Sequence, residues 1–370
     1  MSEALPLADE LGPAKVIQIC EPGLGLKAVL VIDNVSRGPS IGGLRMATDV
    51  SVAECFRLAR AMTLKNAAAG IPHGGGKSVL WGDPRMPIER KQSLIRAFAH
   101  ALRNESDYIF GPDMGTDELA MAWVKDEIGR AVGLPAVLGG IPLDEIGATG
   151  WGLAHATVVA ARHCDLRIEG ARMAIQGYGA VGKHAARFLA QKGAVLVAAS
   201  DSQGTIVNAH GLDVFALSRH KDAGNPVSTY VEGRAQSADA IIDIECDIWI
   251  PAARPDVIHE ANVERLRTRL IPQGANIPIT PRAEAMLAER GVLVVPDFIA
   301  NAGGVICAAM EYAGATQSAA FQAIEERIVA NTEAVLTAAT ERKVLPRAAA
   351  IELATARVRE AMAFRRFGIL

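Results

Sequence analysis

Apolar residues in the first third of the chain fall into short runs separated by glycine-rich segments. The run at 27–32 predicts a buried strand, and the glycines at 38–43 predict a turn after it. The glycine run at 74–77 is interpreted as a loop. Two helices are predicted over residues 88–103 and 117–132.

Another helix is predicted to begin after Ser51. Ser51 followed three positions later by Glu54 is a capping-box pattern. The 4,3 spacing of Leu58, Met62 and Lys65 places all three on one stripe of this helix. Lys65 therefore lies on an apolar line, although such a lysine could also extend its charge to solvent.

Strands and helices alternate from residue 172 onwards. A strand is predicted at 173–175, a helix at 181–191 and a second strand at 194–199. The last forty residues, rich in Ala, Glu and Arg, predict helices. This alternation predicts an α/β fold with an open, doubly wound sheet. Later apolar runs suit further parallel strands at 248–250, 270–271 and 292–295.

The bulk properties narrow the classes of protein. A chain of 370 residues is expected to form two domains, and the glycine-rich segment 139–152 is interpreted as the hinge between them. A net charge of −3 offers no basic surface for nucleic acid. No run of 18 apolar residues and no signal-peptide layout is present, so no membrane partner and a cytoplasmic location are expected.

Cysteine and histidine spacing gives no sign of a metal centre. The five cysteines are scattered and odd in number, which favours reduced thiols over disulfides. There is no HExxH motif and no clustered His/Cys spacing, so no metal ligand is predicted.

The sequence GYGAVG at 177–182 lies between a predicted strand and a predicted helix. In that context the glycines let the backbone approach a pyrophosphate at the helix N-terminus, although packing glycines remain an alternative. Asp201, nineteen residues after Gly182, is placed to accept hydrogen bonds from the adenosine ribose. Its charge would repel a 2′-phosphate, so NAD is predicted and NADP is left possible. The cofactor-binding candidates here are Gly177, Gly179, Ala180, Val181, Gly182, Asp201 and Ser202.

Two lysines lie near apolar and glycine-rich sequence, where surface charge is a poor explanation. Lys77 ends the glycine run, twelve positions after Lys65. Oxidising an amine-bearing acid requires a cation for the carboxylate and a base for the amine proton. Lysine is a usable base when burial or a second cation disfavours its charge, which Lys65 and Lys77 could provide for each other. Asp113 is a candidate proton partner, or alternatively an N-cap.

Seven short motifs follow one another in order along most of the chain. Together they resemble the glutamate/leucine/phenylalanine/valine dehydrogenase family. The motifs are GGLRM at 42–46, MTLKNA at 62–67, GGGK at 74–77, GPDMGT at 111–116, ATG at 148–150, GAN at 274–276 and NAGGV at 301–305.

The resemblance implies roles for individual residues. Lys65 corresponds to the lysine that binds the substrate α-carboxylate, and Lys77 to the lysine that activates water and stabilises the carbinolamine. Asp113 corresponds to the acid that exchanges a proton with the amine. Further substrate-site candidates are Gly42, Gly43, Ile41, Asn301, Val305 and Ala308. Further cofactor-site candidates are Thr149, Ala252, Asn276 and Asn301.

The resemblance also implies an architecture. An N-terminal α/β substrate domain is followed by a Rossmann-type dinucleotide domain, and the C-terminal helices return to the substrate domain. The expected extents are 1–143 with 335–370, and 144–334. The family forms homo-oligomers, so this chain is expected to do so.

Two departures from the family pattern concern the substrate side chain. Glutamate-specific members carry a lysine where Ile41 stands and a serine where Ala308 stands. A buried carboxylate without a partner costs roughly several kcal/mol. The expectation is therefore NAD-dependent deamination of an apolar L-amino acid to its 2-oxo acid and ammonia. The alternatives are a glutamate dehydrogenase and a catalytically silent nucleotide-binding regulator.

Overall fold

Two β-sheets, each with its own helices, organise the residues that the computed structural model describes, 8–370. Within this range one unit runs to Pro142 and includes Val305–Ala320 and Ile351–Leu370. The other consists of Leu143–Gly304 and Phe321–Ala350. No helix of residues 8–370 is both long and apolar enough to cross a membrane.

The first unit contains a five-stranded mixed sheet in the order β1-β2-β4-β3-β5. Strand β2 is antiparallel to both of its neighbours, whereas β3 is parallel to both β4 and β5. The strands are β1 (Lys15–Glu21), β2 (Leu26–Asn34), β3 (Ser40–Ala47), β4 (Gly74–Trp81) and β5 (Tyr108–Pro112).

Helices cover both faces of this sheet. The predicted cap of the first helix is confirmed, because Ser51 Oγ accepts a hydrogen bond from Glu54 N at 3.1 Å. The third helix ends earlier than predicted because Gly129, with φ of 73°, terminates it. The helices are α1 (Val52–Ala68), α2 (Ile88–Ala101) and α3 (Glu118–Ile128).

Side-chain alternation along the strands separates two apolar layers. One layer packs α1 against the sheet through Cys55, Phe56, Val31 and Val79. The larger layer packs α2 and α3 against the opposite face. Lys77 is two positions from Val79, so it lies on the face that α1 covers.

The turn predicted at 38–43 ends at Pro39, and the loop predicted at 74–77 was wrong. Residues 40–43 begin β3, and 74–77 begin β4 at the centre of the sheet. The reason is close packing: a Cβ added at Gly75 would lie 2.0 Å from Thr63 N, in α1. The glycines therefore let the helix lie directly on the strand, which a reading of glycine as a chain breaker misses.

The second unit contains a seven-stranded sheet in the order β12-β11-β10-β6-β7-β8-β9. The five strands from β12 to β7 are parallel, which confirms the doubly wound prediction. Two antiparallel strands that were not predicted extend one edge. The strands are β6 (Arg172–Gln176), β7 (Val195–Asp201), β8 (Gly204–Val207), β9 (Arg234–Gln236), β10 (Ile248–Pro251), β11 (Leu270–Pro272) and β12 (Leu293–Val295).

The helices of the second unit include part of the segment predicted as a hinge. Gly150 and Gly152 lie inside a helix, and a Cβ added at Gly150 would be 2.6 Å from His184 Cβ. These glycines permit close packing of the helix on its neighbours. The helices are α4 (Leu143–Ile146), α5 (Ala148–His163), α6 (Ala180–Ala190), α7 (Val214–Asp222), α8 (Pro281–Glu289) and α9 (Asp297–Ala300).

The C-terminal part of the chain is helical, as predicted, but it is divided differently from the expected boundary at 335. Residues 321–350 belong to the second unit, where Arg347 bonds Glu284 at 2.7 Å and Asp297 at 2.9 Å. Residues 351–370 belong to the first, where Arg357 Nη1 donates to Ala68 O at 2.7 Å. The helices are α10 (Gly303–Tyr312), α11 (Gln317–Arg342) and α12 (Pro346–Ala363).

Candidate active site

The first unit brings Lys77 and Asp113 into direct contact. Lys77 lies on β4, Asp113 directly follows β5, and β3 runs between these two strands. The Lys77 ammonium lies 2.7 Å from Asp113 Oδ2, and only 7% of the lysine side chain is exposed. Asp113 is thus in contact with Lys77, whereas the mutual effect of Lys65 and Lys77 stays a prediction.

A second cation, Arg45, shares the same carboxylate oxygen. Arg45 Nε lies 2.9 Å from Asp113 Oδ2, and Arg45 Nη1 lies 2.6 Å from Glu54 Oε1. The four side chains form a row of alternating charge from Glu54 to Lys77. Sequence reasoning missed Arg45 and Glu54 as site residues. A signal was present, because Arg45 is two positions after Gly43 and so shares its strand face.

This network keeps Asp113 ionised. Burial alone would raise the pKa of Asp113, but the charges and hydrogen bonds of Lys77 and Arg45 outweigh it and hold that pKa below its usual value. The carboxylate is therefore charged at neutral pH and would be protonated only in more acidic solution. An ionised acid one hydrogen bond from an ammonium can pass protons to and from a bound amine.

Gly43 leaves space in front of the ammonium. A Cβ added at Gly43 would lie 3.1 Å from Lys77 Nζ and 2.7 Å from Asp113 Cβ. Its neighbour Gly42 is needed for strand packing, since a Cβ there would lie 1.9 Å from Gly76 O. The GG pair therefore serves both the sheet and the site.

The loop that carries Asp113 is held by Thr116. Thr116 Oγ1 accepts a hydrogen bond from Asp113 N at 3.0 Å and donates one to Leu44 O at 2.7 Å. The hydroxyl thus ties the end of β5 to β3. Thr116 is a positioning residue that the sequence motif contained but did not reveal.

Of the remaining substrate-site candidates, Asn301 belongs to the second unit, and the other four lie on three elements of the first unit. Lys65 is half-buried on α1, one residue before Asn66, whose Nδ2 donates to Gly74 O at 2.7 Å. Ile41 is buried on β3, on the strand face of Gly43. Val305 is half-buried and Ala308 buried, both on α10.

The second unit carries the glycine fingerprint between β6 and α6. Gly177 adopts φ of 96°, and a Cβ added at Gly182 would lie 2.1 Å from Gly177 O. A Cβ added at Gly179 would meet no atom of residues 8–370 within 4 Å, so the turn leaves an open cradle. Gly179 is the N-cap of α6 and supplies no side-chain cap, so the amides from Ala180 and Val181 onwards can face an anion. These features fit the pyrophosphate of a dinucleotide.

The other cofactor candidates follow the carboxyl ends of neighbouring strands. The fingerprint follows β6, and Ala252 follows β10. The N–H of Ala252 donates a hydrogen bond to Gln176 O at 2.7 Å. Strand order reverses between β6 and β10, which is where such sheets bind ligands. After β11, Asn276 Oδ1 accepts from Asn301 Nδ2 at 2.9 Å. A Cβ added at Gly304 would lie 3.0 Å from Thr149 Oγ1, so the Thr149 hydroxyl lies close to Gly304.

Asp201 stands at the end of β7 as predicted, but its carboxylate is engaged within the protein. Oδ2 accepts hydrogen bonds from Lys221 Nζ at 2.6 Å and from Val227 N at 3.0 Å. Oδ1 accepts one from Gln203 N at 2.9 Å. Ser202 is exposed at the tip of the β7–β8 turn.

The sequence matches two family models. One, described as glutamate/leucine/phenylalanine/valine dehydrogenase, matches residues 139–366. The other, described as Glu/Leu/Phe/Val dehydrogenase, dimerisation domain, matches residues 20–130. The first match includes the glycine fingerprint, and the second includes Lys77 and Asp113.

Individual proteins show the same similarity. A glutamate dehydrogenase from Aeropyrum pernix is 37% identical over 324 residues, 82% of this chain and 77% of that protein. An NADP(+)-dependent glutamate dehydrogenase from Pyrobaculum calidifontis is 40% identical over 298 residues, 75% of this chain and 70% of that protein. The solved hetero-hexameric glutamate dehydrogenase from Thermus thermophilus, in a leucine-bound form, gives a TM-score of 0.85 at 26% identity, with 96% of this chain and 91% of that chain covered.

Proposed function

Because the chain belongs to the glutamate/leucine/phenylalanine/valine dehydrogenase family, we propose that it catalyses the reversible oxidative deamination of L-glutamate. Members of this family are amino-acid dehydrogenases that act on CH–NH2 donors with NAD or NADP. The products would be the 2-oxo acid and ammonia. Two relatives above 35% identity carry the name glutamate dehydrogenase, which favours glutamate as the substrate.

The observation that carries the deamination chemistry is the contact between Lys77 and Asp113. In the proposed reaction the ionised Asp113 exchanges a proton with the substrate amine. Lys77 stabilises the oxygen that water adds to the carbon as ammonia leaves. The half-buried Lys65 is proposed to hold the α-carboxylate, and NAD or NADP, when bound, supplies the hydride acceptor.

A second candidate substrate is an amino acid with an apolar side chain. Ile41 is 3% exposed and Ala308 is 7% exposed, and neither side chain offers a hydrogen-bond donor. If these residues line the side-chain pocket, a leucine-sized side chain gains roughly 0.8 kcal/mol for each CH₂ that it buries. A glutamate carboxylate would instead need its partner elsewhere in the pocket.

A panel of the twenty L-amino acids, with NAD and with NADP, distinguishes the candidates through absorbance of the reduced cofactor. The proposal expects the highest kcat/KM with glutamate. A kcat/KM at least about tenfold higher for leucine, valine or phenylalanine, or about 1.4 kcal/mol, would establish the second candidate instead. No turnover with any amino acid would contradict both.

The double variant Ile41→Lys with Ala308→Ser shows whether these two positions meet the side chain. If they do, it shifts kcat/KM toward glutamate relative to leucine. The inactive reference for the same assay is Lys77→Ala. An unchanged ratio would show that the side chain is recognised by other residues.

We also propose that the chain works as an oligomer of identical subunits. Residues 20–130 match a model described as a dimerisation domain, and the Thermus relative is named hetero-hexameric. Light scattering measures the assembly, and a monomer at working concentration would contradict this part of the proposal.

A further inference from the structure

Asp201 is one member of a short ion pair in the second unit. Its Oδ2 lies 2.6 Å from the Lys221 ammonium, and the Asp201 side chain is 8% exposed against 27% for Lys221. Burial would raise the pKa of Asp201, but the hydrogen bonds from Lys221, Val227 and Gln203 hold it below its usual value. The pair therefore consists of an ionised, buried aspartate and a more exposed lysine.

Asp201 has a structural role within the protein that does not depend on a ligand. Asp201 pairs with Gly204 across a tight turn between β7 and β8, and its Oδ1 accepts from Gln203 N, two residues on. This side-chain bond to the backbone is an Asx-turn. Its other oxygen holds Val227 N, at the start of a short 3₁₀ turn. Asp201 thus fastens two loops of this edge.

Helix α7 carries Lys221 alongside the glycine fingerprint. Tyr178 lies between Gly177 and Gly179, and its hydroxyl is 3.2 Å from Ser218 Oγ. Ser218 is three residues before Lys221, or about one helical turn. Lys221 is therefore held close to the turn that is shaped for the dinucleotide.

We propose that Lys221 sets cofactor choice at the adenosine ribose, by neutralising Asp201 and presenting its own ammonium, so that the protein accepts a 2′-phosphate. An unpaired acid at this strand end repels the 2′-phosphate and favours NAD. Here the repelling charge is already matched by a cation that is more exposed than the acid. This inference rests on the proposed function only in requiring that a nicotinamide dinucleotide binds.

Binding measured without turnover tests the inference. Dissociation constants for NADPH and NADH are determined by titration calorimetry on wild type and on Lys221→Met. Wild type is expected to bind the two within about tenfold of each other, and Lys221→Met to weaken NADPH by at least about tenfold with NADH changed by less than about threefold. The affinities for adenosine 2′,5′-bisphosphate and 5′-AMP should change in the same way as those for NADPH and NADH.

A second substitution separates charge from structure. Adding Asp201→Asn to Lys221→Met removes the acid that has lost its cation and should recover most of the NADPH affinity, and Lys221→Arg should retain that affinity. The control is Lys183→Met, which removes the same charge from another lysine–aspartate pair of this unit, with Asp222 at 2.5 Å. It should leave the NADPH to NADH ratio unchanged.

Three results would overturn the inference. They are equal weakening of both cofactors by Lys221→Met, no recovery in the double variant, and wild-type preference for NADH above about a hundredfold. Failure of wild type to bind either cofactor would instead defeat the proposed function itself.

Discussion

The Lys77–Asp113 site and the glycine fingerprint are built from different parts of the chain. In the first unit the site consists of charged side chains, and Asp113 meets two cations on one oxygen at 2.7 and 2.9 Å. In the second unit the site consists mainly of backbone, a glycine turn and the start of α6. Their glycines differ accordingly. At position 43 only glycine avoids a clash with neighbouring protein atoms, whereas Gly179 faces open space.

The two sites should therefore respond differently to substitution: one should lose activity and the other should lose ligand affinity. A site of side chains loses chemistry when a charge is removed, while the fold and the binding of other groups persist. A site formed by the backbone loses affinity when a side chain fills the space for the ligand, while the free energy of unfolding stays unchanged. Activity, affinity and stability should therefore separate cleanly between the two sites.

The largest effect is expected for Lys77→Ala. Loss of a positioned proton-handling group should reduce kcat by about 10² to 10⁴-fold. NADH affinity should not change, because the proposed cofactor site lies in the second unit. Steady-state kinetics and NADH titration measure the two quantities. Lys27→Ala, an exposed lysine of β2, is the control. A variant that keeps more than about a third of wild-type turnover would remove Lys77 from the reaction.

The next effect is expected at Gly43. Gly43→Ala places a methyl group against Lys77 Nζ and Asp113 Cβ, so kcat should fall and unfolding free energy should drop by about 1–3 kcal/mol. Gly111→Ala is the matched control on β5, because its nearest contacts within the described part of the chain would be Val132 Cγ2, at 3.5 Å, and the main-chain oxygen of Gly42, at 3.8 Å. Urea unfolding and kinetics are measured on both. Equal effects of the two variants would show that the site does not depend on the space at Gly43.

A smaller effect, of opposite kind, is expected at Gly179. Gly179→Ala should weaken NADH binding by roughly tenfold, because the methyl group occupies the cradle. The unfolding free energy should stay the same or rise by up to about 1 kcal/mol, since φ of −100° suits alanine. Gly182→Ala is the contrast, because its Cβ would lie 2.1 Å from Gly177 O and destabilise the unit. Unchanged NADH affinity in Gly179→Ala would contradict the backbone cradle.

The smallest effect is a displacement of the pH profile in Arg45→Met. Arg45 helps to hold the pKa of Asp113 below its usual value, so its removal should raise that pKa. Because Asp113 acts in its ionised form in the proposed reaction, the acid limb of kcat/KM should move to higher pH. Met114→Ala, an exposed neighbour, is the control. An acid limb that stays in place, with kcat reduced uniformly, would show that Arg45 acts through packing alone.

Prediction from sequence succeeded where a local pattern determines local structure. The cap at Ser51 and the parallel strands of the second unit follow from hydrogen-bonding groups and periodicity within short windows. It failed at 74–77, where glycine occurs because α1 packs closely on β4. The cause lies twelve residues away at Thr63, and no local window contains it.

The candidate site shows the same division. Lys77 and Asp113 could be named from motifs, but the sequence suggested Lys65 as the charged neighbour of Lys77. The structure shows that Asp113 contacts Lys77 and that Arg45 contacts the same carboxylate oxygen, because β3 lies between the strand of Lys77 and the strand that precedes Asp113. Asp201 was correctly placed at a strand end, but its partner Lys221 lies twenty residues further on.

The order of residues along this chain determines which groups are available, where the helices begin and which turn can accommodate a pyrophosphate, because these depend on neighbours within about one helical turn or one strand. The pairing of strands determines which charges meet. Strand order places Lys77, Arg45 and Asp113 side by side, and the packing of α7 brings Lys221 to Asp201. Coulomb interactions depend on distance in space, so the ionisation of Asp113 and the charge offered to a cofactor follow from the fold rather than from spacing along the sequence.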